Sequence, residues 1–533
     1  MGFQKRFQTF TSMKRNTFLT VLFISIFAVA CYFPLFLHLD HMSVRLWDEG
    51  RRAVNAFEMA QSGNYLVTSY EGEPELWGTK PPFLIWCQAF FMKIIGYNEV
   101  ALRLPSALAA LATIAIILLF SWRVLKRPLI GFMAGLILLT TKGYVGAHVA
   151  RSGDFDSLLT LWETAYMLSF FIFLTHNDLG KKKKWIYLMS GFIALAGLTK
   201  GIAGFLFLPG LFVFYILYNL TQKDKDFNLI RLLKWKHSWL ALILAFLPIV
   251  AFYVLREVSN PGYFAAVMDN EMGGRFLQAK EGHLKPWYHY FEWLWKEQFQ
   301  PWILFIPLGL LVGLWQKERL RSLTLLLLIN SITFLVIISI SKTRILWYMA
   351  PIYPSLALLV GIGFDKLICG ASRLIHNPND KAIFKIPIQT YLILAAFTVP
   401  VFYQPYRSII EQVYFEQHPA WDWPELKYRD FMRKTKDIKH YTIVHGKYNS
   451  NVVFYAKTFN LNGYNINYHP LVDFNWKKYR FGEKPLDFTS GDTLMVCENS
   501  VFVALDSVYK YQVLRNWDSC KLLVIDNEMI PRQ

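Results

Sequence analysis

Three stretches of this chain stay apolar for about the thickness of a lipid bilayer: FLTVLFISIFAVACYFPLFL (18–37), SWLALILAFLPIVAFYVL (238–255) and RSLTLLLLINSITFLVIISI (321–340). Crossing about 30 Å of hydrocarbon takes roughly 20 helical residues. No water is present there to satisfy an open backbone, so helices are the natural solution. Composition points the same way: 54% of the 533 residues are hydrophobic and 18% are charged, below the quarter or so usual in soluble domains. The chain is therefore read as mainly α, a polytopic membrane protein. A net charge of +18 does not imply nucleic acid, because the basic residues collect in short loops between apolar runs, as the positive-inside rule describes.

Spans are expected near 18–37, 104–121, 128–147, 157–175, 185–199, 201–219, 238–255, 301–315, 322–340, 346–364 and 388–404, about 11–13 helices in all. The first run is too long, and lacks the small-residue cleavage site, for a signal peptide. Lys5, Arg6, Lys14 and Arg15 precede it and set the N-terminus in the cytoplasm. The same alternation places WRVLKRP (122–128), GKKKKW (180–185) and QKERLR (316–321) inside. Outside fall a long first loop (38–103), ARSGDFD (150–156), a second long loop (256–300), SKTRILWY (341–348) and everything after about 405. In the first loop, 51–63 reads as a helix and 81–96 as an amphipathic segment in the membrane interface. Residues 1–404 thus form a membrane domain with interfacial helices in its first outer loop. Residues 405–533 form a small outward-facing α/β domain, with strands expected at 441–447, 491–499 and 521–527. Cys497 and Cys520 fall in that outward part, where a disulfide is open to them. No Cys/His spacing marks a metal site.

The charges on the outer side carry the chemistry. WDEGRR (47–52) follows the first run with Asp48, Glu49, Arg51 and Arg52; on a helix these acids meet the arginines at i,i+3 and i,i+4. Read alone, they are a solvated helix start. Lys80 stands before a stiff Pro-Pro and suits a lipid phosphate, or else simply snorkels. Arg151, Asp154 and Asp156 stand at the lip of the next spans, where unpaired charge is costly. Asp154 reads as a helix cap, and Asp156 is harder to dismiss. Arg275, after Gly-Gly, can grip a phosphate through both arms of its guanidinium. Lys342 and Arg344 lie at the same level, with Tyr348 just beyond, while His283 and His289 read as hydrogen-bonding histidines that can also serve as bases. Such a set suits sugar transfer from a lipid phosphate. Cations stabilise the leaving phosphate, a carboxylate takes the acceptor's proton, and carboxylates stabilise an oxocarbenium-like centre.

The order of phrases resembles the GT-C glycosyltransferases of the protein O-mannosyltransferase and aminoarabinose-transferase superfamily, which use polyprenyl-phosphate sugars. The matching phrases are DEGR (48–51), MAQSG (59–63), KPP (80–82), LRLPSAL (102–108), ARSGDFD (150–156), LTKG (198–201), PWYHY (286–290) and SKTRILWYMAPIYP (341–354). The resemblance covers roughly residues 40–360. It implies a polyprenyl-phosphate sugar as donor, a protein, glycan or lipid hydroxyl as acceptor, and inverting transfer at the outer face of a bacterial inner membrane. It gives Asp48 the role of base or acceptor-positioning group, matches Asp156 to the second-loop Asp, and places Lys80 and Arg275 at the donor phosphate. From the outer charges themselves, Glu49 is read as a further catalytic carboxylate, Lys342 and Arg344 as further phosphate-binding cations, and Arg51, Arg52, Arg151, His283 and Tyr348 as supporting residues. No cofactor is implied, although the outer carboxylates can hold a divalent cation. Two positions depart from the aminoarabinose branch: Thr79 stands where that branch commonly has Glu, and Arg52 where it usually has Tyr. Both argue against transfer of aminoarabinose to lipid A. The rival reading is a flippase or transporter of polyprenyl-linked sugars, which has no use for a base at Asp48.

Overall fold

In a computed structural model the chain is described over residues 24–146, 148–221, 229–274, 285–374, 382–383, 386–414, 423–475 and 480–529. Among these, six helices are long and apolar enough to cross a membrane: Glu99–Leu125, Asp156–Thr175, Leu179–Phe205, Lys236–Ser259, Glu318–Ile340 and Leu346–Leu374. They coincide with six of the eleven expected spans, so this is a multi-pass membrane protein. Other expected spans appear as shorter helices, Pro128–Leu139 and Leu208–Thr221, or as a pair bent by 106° at His289–Gln298 and Trp302–Leu314. Of the first expected span (18–37), residues 18–23 lie outside the described residues and Ile24–Phe36 is helical. The last helix runs from Ile388 to Tyr414, beyond the end expected at 404.

Burial ranks the helices by position in the bundle. The apolar stretch of Asp156–Thr175 is 89% buried within the protein, whereas that of Lys236–Ser259 is 22% buried. On the latter, Trp239, Leu240, Leu242, Ile243 and Leu247 are exposed, as befits a surface solvated by lipid tails rather than water.

The first outer loop is structured. Asp48 and Glu49 stand in the first turn of a helix, Asp48–Ser62, where negative charge complements the helix dipole. Gly63, at φ 74°, ends it, because a left-handed terminal residue favours glycine. A second loop helix, Phe83–Ile95, buries Leu84, Ile85, Ala89 and Met92 and exposes Phe90, Ile94 and Ile95, matching the amphipathic segment read at 81–96. Asn98 then caps the next helix, its side chain accepting from the Ala101 N–H at 2.9 Å.

The C-terminal domain holds a five-stranded mixed sheet in the order Tyr509–Trp517, Cys520–Met529, Thr493–Val496, His440–His445, Asn465–Pro470. His440–His445 runs parallel to both its neighbours. The three strands expected from the sequence are all present. Cys497 and Cys520, opposed at adjacent strand ends, form a disulfide.

This domain is packed onto the first loop. One apolar cluster joins Val54, Phe57, Ile85 and Leu102 to Tyr428, Phe431, Phe454 and Leu522. Its polar centre is Glu99, 1% exposed, which accepts from Arg429 Nη1 (3.0 Å), Arg433 Nη2 (3.0 Å) and the Tyr455 hydroxyl (2.8 Å). Removing one partner of a buried pair strands the other's charge, at a cost of about 3–5 kcal/mol. Glu99→Ala is therefore expected to loosen the C-terminal domain, read as faster limited proteolysis after residue 414 and a lower thermal midpoint. An unchanged digest would show that the apolar cluster alone holds the two parts together.

Candidate active site

Adjacent carboxylates of WDEGRR have opposite fates. Glu49 turns inward and is 1% exposed. It accepts from Arg103 Nε (2.8 Å) and Nη2 (2.9 Å), from the Gly153 N–H (2.8 Å) and from the Arg45 N–H (2.8 Å). Burial by itself would raise this carboxyl's pKa, but Arg103 outweighs it and holds the group below the usual range. The same guanidinium donates to the carbonyls of Leu39 (2.7 Å), Met42 (2.8 Å) and Ser43 (2.9 Å). Glu49 thus ties the chain leaving the first helix, the Glu99–Phe120 helix and the second outer loop into one piece.

Asp48 faces out, with its side chain 35% exposed. Arg51 lies 3.3 Å and Arg52 3.5 Å from its Oδ1. Burial opposes ionisation, yet Arg52, Arg51 and Lys80 together hold Asp48 well below the ordinary carboxylate range. Arg52 also pairs with Asp154, whose other oxygen lies 3.0 Å from His148 Nδ1. The His148 ring stacks on Trp347, with centroids 3.6 Å apart and planes at 11°. Asp154 is held at about 2 despite burial, by His148 and Arg52. Trp47 and His148 flank this chain of charges at φ 64° and φ 65°. That conformation costs a non-glycine residue roughly 1–3 kcal/mol, and such strain gathers at functional sites.

Lys80 lines a narrow cleft together with Arg51, Arg52, Thr68, Trp77, Thr79 and Phe155, among others. Its ammonium is 3.5 Å from Glu271 Oε1, which also accepts from the Thr79 hydroxyl at 2.6 Å. The carboxylate beside Lys80 therefore arrives from the distant 256–300 loop rather than from position 79. Arg52 and Lys80 lie 4.5 and 6.0 Å from the Phe155 ring, distances at which a cation is drawn to an aromatic face. Asp156 sits deeper and pairs with Lys200, whose ammonium is 5.1 Å from the Tyr348 ring.

Other expected residues do not converge here. Arg151 donates to the carbonyls of Pro34 (3.1 Å) and Leu37 (2.7 Å) and so anchors the end of the first helix. Arg344 gives its hydrogens to the carbonyls of Ser339 and Lys285, which fits a brace between loops rather than the phosphate contact expected of it. Lys342 is exposed. Arg275 and His283 lie outside the described residues. Conversely, the structure brings in His148, Lys200 and Glu271, and gives Asp154 a partner set that a plain helix cap would not have. Lys200 had a legible signal, a lone cation at the end of an apolar run within LTKG. His148 and Glu271 had none, because each acts through a partner far along the chain. Among the described residues no group of three or more His, Cys, Asp or Glu side chains could hold a metal ion.

The architecture has close counterparts. ArnT from Cupriavidus metallidurans, in a crystal structure bound to undecaprenyl phosphate, superposes with a TM-score of 0.68 at 18% identity, covering 96% of this chain and 98% of that one. The archaeal oligosaccharyltransferase AglB from Archaeoglobus fulgidus follows at a TM-score of 0.50 and 14% identity, covering 81% of this chain and 62% of that one. In sequence, residues 79–254 match the family described as dolichyl-phosphate-mannose-protein mannosyltransferase. The chain thus shares the fold of these transferases and, over residues 79–254, the sequence pattern of that family. A relative from Aeromonas hydrophila, an undecaprenyl phosphate-alpha-4-amino-4-deoxy-L-arabinose arabinosyl transferase, is 27% identical over 339 residues, 63% of this chain and 59% of its own length. An uncharacterised protein of Aquifex aeolicus is 26% identical over 372 residues, 69% of this chain and 68% of its own. The chain thus spans about three-fifths of the arabinosyl transferases it matches. At this site acid acts through Asp154. Because its carboxyl is depressed on folding, its contribution to stability is complete above the ordinary value of 3.8 and is lost as pH falls through about 2. Arg52→Ala removes one source of that depression and is expected to shift acid unfolding to higher pH, measured by circular dichroism. A midpoint identical to that of the wild type would mean that His148 alone keeps Asp154 ionised.

Proposed function

We propose that the protein transfers a sugar from a polyprenyl phosphate to a hydroxyl of a protein, glycan or lipid on the outer face of a bacterial inner membrane. In this reading the N-terminus is cytoplasmic and the C-terminal domain lies outside. The observation that carries it is the placement of Asp48, a partly open carboxylate, against Arg51 and Arg52, which line a cleft with Lys80, in a fold shared with a structure that holds undecaprenyl phosphate.

The acceptor oxygen attacks the anomeric carbon from the face opposite the phosphate. The new C–O bond forms as the bond to the phosphate oxygen breaks, and the electron pair leaves on the phosphate, so the anomeric configuration inverts. Lys80 and the arginines of the cleft stabilise that developing charge. Asp48 orients the acceptor hydroxyl and receives its proton. A carboxylate held so acidic is a weak base toward a free alcohol. The alcohol's proton becomes far more acidic as its oxygen bonds to carbon, and that is when Asp48 takes it. Glu49, saturated by Arg103 and backbone N–H groups, positions Asp48 rather than reacting. Asp156, paired with Lys200 below the cleft, extends the network into the membrane. A flippase would need neither the ordered pair at Asp48 nor the strain that flanks it.

Arg51, Arg52 and Lys80 all line the cleft, and such a wall disfavours a sugar bearing an ammonium group. A neutral donor sugar is proposed, in keeping with the departures at positions 52 and 79. Asp48→Asn should lower turnover by at least about 100-fold with donor affinity little changed, measured in lipid with radiolabelled undecaprenyl-phosphate sugars. Full activity would remove Asp48 from the chemistry. Lys80→Ala should weaken donor binding about 10- to 100-fold. Glu271→Gln should tighten binding of bare undecaprenyl phosphate, since the phosphate must displace Glu271 from Lys80. Equal affinity in that variant would show that the two anions do not compete.

A further inference from the structure

The wall of the cleft hides a carboxylate that the reaction above does not use. Glu75 belongs to the hairpin formed by Ser69–Tyr70 and Glu73–Pro74. Its backbone is pinned from both sides: its N–H donates to the Thr68 carbonyl at 3.1 Å, and its carbonyl accepts from Arg256 Nη2 at 2.8 Å. The side chain is 2% exposed, and neither carboxylate oxygen has a well-formed hydrogen bond. A buried carboxyl in that state carries nearly its full desolvation cost. Asn55 alone offers its side chain a hydrogen bond, and a weak one, since the same amide donates to the Ser69 carbonyl at 2.7 Å.

Glu75 is not alone. The Thr68 hydroxyl and Arg256 Nη1 are also buried without partners. Oε1 of Glu75 and Oγ1 of Thr68 both press on Gly78, where an added Cβ would fall 2.6 Å and 3.2 Å from them. Gly78, Thr68 and Asn55 all line the cleft beside Lys80. The unmet hydrogen-bonding groups are thus stacked directly behind its surface, and the glycine keeps the barrier between them to a bare backbone. Burial raises the Glu75 pKa against the pull of Arg51, Asn55 and Arg256, so the group stands to gain from a further donor that reaches it.

We infer that Glu75, with Thr68, forms a recognition subsite for hydroxyl groups of the donor sugar. The inference rests on the transferase reading. A sugar tethered to a phosphate at Lys80 has to lie against this cleft, and adjacent hydroxyls are the donors that a carboxylate and a threonine hydroxyl accept together. Thr68, on the cleft surface, and Glu75, just behind Gly78, answer to the part of the donor that differs between one polyprenyl-phosphate sugar and another, whereas Lys80 answers to the part that all share. Glu75 is a specificity residue, without a share in bond breaking.

That division gives the test. Binding of undecaprenyl phosphate, bare or carrying mannose, glucose, galactose or 4-amino-4-deoxy-L-arabinose, is measured on full-length protein in nanodiscs for wild type, Glu75→Gln and Thr68→Val. Thermal melting checks that each variant is folded. Wild type should prefer one sugar-bearing lipid over the bare phosphate. Glu75→Gln should erase about tenfold of that preference and leave affinity for the bare lipid within about twofold, and Thr68→Val should erase part of it. Preference intact in a folded Glu75→Gln protein overturns the inference alone. Equal loss for bare and sugar-bearing lipid also overturns it, and assigns Glu75 to support of the Lys80 loop. A wild type that binds every lipid alike overturns the transferase reading and this subsite with it.

Discussion

The buried pair between Glu49 and Arg103 is the joint on which the outer half of the molecule depends. Each is nearly dry, and the guanidinium spends its remaining hydrogens on carbonyls at Leu39, Met42 and Ser43. Isolated, either charge would be prohibitive to bury; together, with every arm satisfied, they become a rigid weld. The weld fixes the first turn of the Asp48–Ser62 helix against the second outer loop. Because Asp48 and Glu49 are neighbours on one backbone, fixing Glu49 also fixes the direction in which Asp48 points. Glu99 repeats the device a short distance away, where Arg429, Arg433 and Tyr455 draw the C-terminal domain onto the same platform.

Much of this was legible in the chain. Bilayer-length apolar runs imply helices by necessity, and alternating short runs in a polar tail imply strands, so the fold class and the sheet follow from periodicity. Leu208–Thr221 and the bent pair near Pro301 were less legible, because proline, glycine and aromatic residues blur where an apolar run stops being one straight helix. At the site, Asp48, Lys80 and Asp156 could be picked out because unpaired charge at a membrane edge demands an explanation. The roles of Glu49 and Arg344 could not be read. A carboxylate that reacts and one that welds look the same until the partner 54 residues away is seen. Glu75 was invisible for the opposite reason, since what marks it is the lack of a well-formed hydrogen bond.

The site separates two kinds of unmet demand. Around Asp48 the charges are crowded but matched, through Arg51, Arg52, Asp154 and His148 in sequence, so the framework holds its shape without a ligand. Around Glu75 the polar groups are buried and unmatched, so the framework pays in advance for contacts a ligand then supplies. Preorganised charge serves the transition state, and unfilled hydrogen bonds serve discrimination between substrates.

In the proposed transfer, the contact between Glu271 and Lys80 bears on the far end of the cycle. Once the sugar has left, the spent carrier lipid holds more negative charge on its phosphate than the donor did, and Lys80 would grip it more firmly. A carboxylate already within reach of that ammonium offers an intramolecular substitute at high effective concentration. Release of the carrier then becomes an exchange of one anion for another, with no bare cation left behind. On the proposed reaction, Glu271 would thereby act as an ejector, returning the spent carrier to the membrane for another round.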